Sequence, residues 1–182
     1  MKTEIAFTPL DVRAFAQTAG NRSAQDLLSK YERLTQEAYA PEADLIVNWN
    51  AQGELRPVSS GEAEIWLHIQ ADICLPMTCQ RCLTPINMPI AVDRSFRFVA
   101  DEETAAALDD DSEEDVLALD PAFDLATLVE DELLMEIPQV PRHEVCPVEV
   151  TLEVVDPAFE AALSEKPHPF AALAKLRGEG AD

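Results

Sequence analysis

Four side chains in this chain have the chemistry of soft-metal ligands at useful spacings. Cys79 and Cys82 lie two residues apart in Thr78-Cys79-Gln80-Arg81-Cys82, and His143 and Cys146 lie three apart much later. A structural zinc site takes four ligands, usually two Cys-x-x-Cys knuckles or one knuckle with a Cys/His pair. One knuckle is present, Cys146 supplies a third ligand, and His143 a fourth. Cys74 is the poorer candidate, because strand parity puts it opposite Ile73 and Leu75. The bland alternative is a metal-free hairpin tip with its thiols packed or solvated.

A redox dithiol is a weaker reading of the same residues. That chemistry places Cys-x-x-Cys at a helix N-terminus, where the dipole lowers the thiol pKa. Here Leu83-Thr84-Pro85 and an alternating pattern follow. Four cysteines are too few for a disulfide scaffold in 182 residues, so in a reducing compartment they are thiols or ligands. Acid–base catalysis has little to draw on. His68 falls on a polar strand face, His143 in a loop and His168 between prolines. Glycine is scarce, and neither a phosphate loop nor a nucleophile elbow appears. A non-enzymatic protein is expected.

The elements that must position these residues follow from hydrophobic period. Pro9 to Ala16 reads as a short helix ending near Gly20. A second helix begins after Asn21-Arg22-Ser23, with Leu27, Leu28, Tyr31 and Leu34 on one stripe and Pro41 closing it. From Ala43 to Ala100 the period is two. Leu45, Val47 and Trp49 alternate with Ile46, Asn48 and Asn50, and Gln52-Gly53-Glu54 reads as a turn. Ile65, Leu67, Ile69, Ile73, Leu75 and Met77 share a strand face, and Pro76 suggests an edge or bulge. Ile86, Met88, Ile90, Val92, Phe96 and Phe98 make a return strand. The two runs form an antiparallel hairpin with Cys79-Gln80-Arg81-Cys82 at its tip.

Asp101 to Asp115 reads as an acidic, solvated loop, and Val116 to Leu119 as one more short strand. Phe123 to Ile137 is an amphipathic helix capped by Asp124, with Glu130-Asp131-Glu132 mostly outward. A short helix from Asp156 to Leu163 and a tail helix containing Phe170, Leu173 and Leu176 follow. The expected fold is α+β: an antiparallel sheet packed by N-terminal and central helices. The expected organisation is an N-terminal helical segment (1–42), a main domain (43–166) and a tail helix (167–182).

The net charge is -22, from 13 Lys+Arg against 35 Asp+Glu. Nucleic-acid affinity comes largely from Lys and Arg releasing counterions from phosphates, so this balance disfavours direct RNA binding. It favours a basic partner. The N-terminus lacks the layout of a secretory signal and no apolar run reaches membrane-spanning length, so a cytosolic location is expected.

Several segments together resemble one bacterial family. They are Thr78 to Cys82, Asp124-Leu125-Ala126-Thr127-Leu128-Val129-Glu130-Asp131-Glu132-Leu133-Leu134, Ile137-Pro138-Gln139-Val140-Pro141, Cys146, and Pro169-Phe170-Ala171-Ala172-Leu173-Ala174-Lys175-Leu176. In that order they resemble the YceD family, the large ribosomal RNA subunit accumulation proteins. The resemblance implies a role in synthesis, processing or stability of 23S ribosomal RNA, without enzymatic activity or cofactor. Some members carry a second cysteine cluster near the position of Cys146, and here Cys146 is followed by Pro147. Family role and charge together imply action through a basic ribosomal protein or large-subunit assembly factor. Glu130, Asp131, Glu132, Phe170 and Leu173 are the candidate contacts. The alternative is a zinc-stabilised protein-binding module with no ribosomal RNA role.

Overall fold

The computed structural model describes residues 9–59, 61–150, 156 and 158–159. The chain divides into two compact units, Met1–Val145 and Cys146–Asp182. All elements named below belong to the first. The expected tail helix, with Phe170 and Leu173, lies outside the described residues.

The elements run α1 (Val12–Gln17), β1 (Asn21–Leu27), a 3-10 turn (Leu28–Lys30), α2 (Glu32–Glu37), β2 (Ile46–Arg56), β3 (Glu64–Thr78), β4 (Pro85–Val99), α3 (Glu102–Asp109), β5 (Val116–Ala118) and α4 (Leu125–Met135). The strands form one sheet in sequence order. Three pairings are antiparallel and the last, β4 with β5, is parallel. The fold class is α+β as expected, but the sheet is mixed rather than purely antiparallel. β5 pairs parallel because it enters from α3, which returns the chain to the start of its run beside β4.

Burial follows the alternation in the three long strands. Val47, Trp49 and Ala51 of β2 face inward with Ile65, Leu67, Ile69, Ile73 and Leu75 of β3 and Ile90, Val92, Phe96 and Phe98 of β4. Val12 and Ala16 of α1, Leu34 of α2, and Leu125, Val129 and Leu133 of α4 complete the core. Each buried aliphatic side chain removes enough apolar area from water to contribute about 1.5–3 kcal/mol.

Four local expectations are corrected. Residues 21–27 form β1, not the start of a helix, and pair with β2 at the edge of the sheet. The stretch has too few apolar residues for a helical stripe, and Asp26 gains a buried role by pairing. Its carboxylate accepts from the Trp49 indole at 2.8 Å, the Lys30 ammonium at 2.7 Å and the Tyr31 hydroxyl at 3.4 Å. Gly53 is not in a turn but inside β2, where α1 crosses closely. A β-carbon there would lie 2.7 Å from the Phe15 ring and 2.8 Å from the Ala16 nitrogen. Residues 102–109 form α3, not a loop. Asp101 caps that helix by accepting from the Thr104 amide at 2.8 Å, and Glu102 and Glu103 suit its positive N-terminal end.

The fourth correction concerns Glu130-Asp131-Glu132. Glu130 and Glu132 are buried, and only Asp131 is partly open to solvent. α2 has no side-chain cap of its own, and Glu130 of α4 supplies one. Its carboxylate accepts from the Arg33 amide at 2.8 Å and the Leu34 amide at 3.1 Å, and from the Arg33 guanidinium at 2.8 and 3.0 Å. Glu132 lies 3.6 Å from Arg94 Nε, while that arginine also pairs with Asp115 at 2.6 Å. Burial raises the Glu132 pKa; Arg94 opposes this, and the Asp115, Asp131 and Glu136 charges add to it.

The two glutamates therefore respond oppositely. Glu130→Ala leaves two helix amides and a guanidinium short of their acceptor and should lower unfolding free energy by about 2–4 kcal/mol. Glu132→Gln should stabilise. A carboxyl whose folded pKa is raised loses stability as pH rises through that value, and glutamine does not ionise. Urea denaturation across the pH range checks both, and the Gln advantage should vanish in acid.

Candidate metal centre

β3 and β4 pair from Ile65 opposite Phe98 to Thr78 opposite Pro85, leaving Cys79 to Thr84 as their connection. Cys79 continues the inward parity of β3 and is fully buried. The connection closes on itself: Leu83 donates its amide to the Cys79 carbonyl at 2.8 Å and Cys79 donates to Thr84 at 2.9 Å. Leu83 takes a left-handed conformation, φ 59°. The two cysteines thus precede a strand, not a helix, which removes the setting that a thioredoxin-like dithiol uses.

α4 ends at Met135, and the chain then returns to this connection. The Gln80 amide donates to the Pro141 carbonyl at 2.8 Å. Arg81 donates to the carbonyls of His143 at 2.8 Å and Glu144 at 3.1 Å. The His143 amide donates to Cys79 Sγ at 3.4 Å, and His143 Nδ1 lies 3.4 Å from Cys82 Sγ. The result brings together all four residues that the spacing suggested. The ligand atoms of Cys79, Cys82, His143 and Cys146 all lie within 4.8 Å of one another. Cys74, exposed on the opposite sheet face, takes no part.

The donor set fits zinc. In a tetrahedral site with ordinary bond lengths, two sulfurs stand about 3.8 Å apart and a sulfur and an imidazole nitrogen about 3.5 Å. The 3.4 Å between Cys82 and His143 is already at that separation. Charge fits as well. Burial alone would raise the Cys79 pKa, but amides of His143, Cys82 and Arg81 and the Cys82 thiol donate to its sulfur and bring it down to about 5. The His143 pKa is raised, chiefly by its interaction with Cys79. Amides aimed at one sulfur make that thiol an anion at neutral pH, the form that a metal binds.

The comparisons with known proteins agree with the ordered motifs. Residues 67–177 match the family described as "Large ribosomal RNA subunit accumulation protein YceD". The chain belongs to the YceD family. A curated relative of that description, from Haemophilus influenzae, is 34% identical over 111 residues. That stretch covers 60% of this chain and 62% of the relative, so it spans less than two thirds of the relative's length. No solved structure matches. Arg81, between the two cysteines of the turn, ties the site together through backbone carbonyls. Its role becomes visible only when the carbonyls of residues 143 and 144 come within reach.

Protein prepared without chelator should carry about one equivalent of zinc, and Cys82→Ser should lose it, as metal analysis will read. In chelator-treated protein, ultraviolet titration should find one thiolate formed with a midpoint near 5. Because that pKa is lowered on folding, its stabilising contribution is complete above the ordinary thiol range and disappears as pH falls through about 5.

Proposed function

We propose that the protein is a non-enzymatic factor that supports accumulation of large-subunit ribosomal RNA by binding a basic protein, not by gripping the RNA. Family membership motivates the ribosomal part. The observation that carries the protein-partner part is the fate of the cations. Among the described residues, Lys30, Arg33, Arg56, Arg94 and Arg97 are paired with carboxylates, and Arg81 is bonded to backbone carbonyls. Among the described residues that leaves Arg13, Arg22 and Arg142 to release counterions from phosphates, while much of α3 and the acidic residues that follow it stay exposed.

A non-enzymatic reading also suits the only Ser-His-Asp arrangement among the described residues. His68 lies 3.1 Å from Ser95 and 3.3 Å from Asp93, on the open face of β3 and β4. The Asp93 side chain is two-thirds exposed, so water screens the carboxylate that would have to hold an imidazolium. No helix among the described residues is long and apolar enough to cross a membrane.

A second reading, a zinc-stabilised protein-binding module with no ribosomal RNA role, is favoured by the Cys3His cluster. Deletion of the gene separates the two. The first predicts depleted 23S RNA and large subunits in ribosome profiles, restored by the intact gene. Normal profiles would leave the second. Purified protein retaining naked 23S RNA at physiological salt, and no ribosomal protein, would overturn the partner assignment.

A further inference from the structure

Leu83 closes the hairpin connection by donating its amide to the Cys79 carbonyl at 2.8 Å, and it does so in a backbone conformation that strains an L side chain. A left-handed φ of 59° suits glycine, which lacks the β-carbon that makes the conformation strained. Leucine occupies it instead, and its side chain is 73% exposed, so no internal burial offsets the strain. Strained positions that persist without a packing reason concentrate at binding sites.

Leu83 is not an isolated apolar residue. Among the described residues, the four most exposed large apolar side chains are Val145 at 85%, Leu83 at 73%, Met135 at 64% and Val140 at 60%. Leu83 directly follows Cys82, and Val145 directly follows Glu144, whose carbonyl Arg81 holds. Val140 precedes Pro141, whose carbonyl accepts from Gln80. Leu83, Val140 and Val145 therefore flank one pinned crossing of two segments, held by the Cys82–His143 approach, by Gln80 and by Arg81. Scattered exposed leucines are ordinary, whereas several on one rigid feature mark an interaction site.

We infer that Leu83, with Val145 and Val140, forms the apolar anchor by which this protein docks a basic protein partner. The inference rests on the partner reading above and deepens it by naming the contact. Interfaces of this kind combine a desolvated apolar centre with a charged rim. Exposed Glu144 adjoins Val145 in the chain, Arg81 and exposed Arg142 are the cations of the same crossing, and the whole chain carries a net charge of -22. The complementary surface is an apolar pocket ringed by lysine and arginine. Fixing the anchor beside four converging ligand groups keeps it ordered before binding, which lowers the ordering cost on association.

Leu83→Gly separates docking from structure because the two predict opposite signs. Full-length zinc-loaded protein, immobilised, is challenged with total protein extracted from large ribosomal subunits, and retained proteins are identified by mass spectrometry. Wild type should retain a basic protein, and Leu83→Gly at least tenfold less, with zinc content unchanged and melting temperature equal or higher. Val145→Ser should weaken retention in the same direction. Equal retention by Leu83→Gly overturns the inference, as does a retained partner that is not basic, or no retention by wild type. A purified dimer that Leu83→Gly dissociates also overturns it, since the anchor would then serve a second copy. Depleted 23S RNA in the deletion strain with full binding by Leu83→Gly removes the anchor and keeps the ribosomal reading. Normal 23S RNA with lost binding does the reverse.

Discussion

The register of β3 against β4 is the constraint on which the remaining architecture depends. Side chains alternate faces along a strand, so a slip of one residue would exchange the buried and solvated sets over fifteen residues in each strand. Ile65 to Leu75 and Ile90 to Phe98 would face water, and Cys79 would leave the interior. The same pairing leaves a six-residue connection whose own hydrogen bonds fold it back on itself. The hairpin thus decides the inner face that α1 and α4 cover and the direction in which the first sulfur points.

Helix packing onto that face is secured by polar contacts as much as by apolar ones. α2 is too short to be stable alone, since nucleating a turn costs more than one turn of hydrogen bonds returns. Glu130 of α4 completes it across 97 residues of sequence, capping its amides and pairing Arg33 with one carboxylate. Glu132, one turn-fraction away, faces Arg94 and sits among other carboxylates. Two acids two positions apart on one helix therefore do opposite things, one joining elements and the other having its pKa raised chiefly by burial.

The hairpin tip is joined to the chain leaving α4 by the protein's own hydrogen bonds at the candidate metal centre. Arg81 and Gln80 hold carbonyls of the incoming segment, and the His143 amide reaches Cys79. Because the sulfur is surrounded by donors, its anionic form is stabilised by the protein itself. A single Cys-x-x-Cys knuckle is thereby brought together with a histidine and a further cysteine. The second half of the ligand set is brought in by backbone hydrogen bonds rather than by a matching knuckle of its own.

Local pattern determined a good deal of this molecule. Alternation over residues 64–78 and 85–99, the Asp124-capped helix with its Leu125, Val129 and Leu133 stripe, and the ligand identities Cys79, Cys82, His143 and Cys146 are all legible in one dimension. Each rests on a short-range signal: a period, a cap, or a spacing. The tertiary structure decided what depends on a distant partner. Asn21 to Leu27 became a strand because β2 offered an edge and Trp49 a donor for Asp26. Gly53 stayed in a strand because α1 crosses there, and Glu130 turned inward because α2 lacked a cap. Whether four ligands separated by sixty residues converge is likewise a matter of chain return. Hydrogen bonds to carbonyls, which any sequence carries equally at every position, made that return, and no residue pattern encodes them.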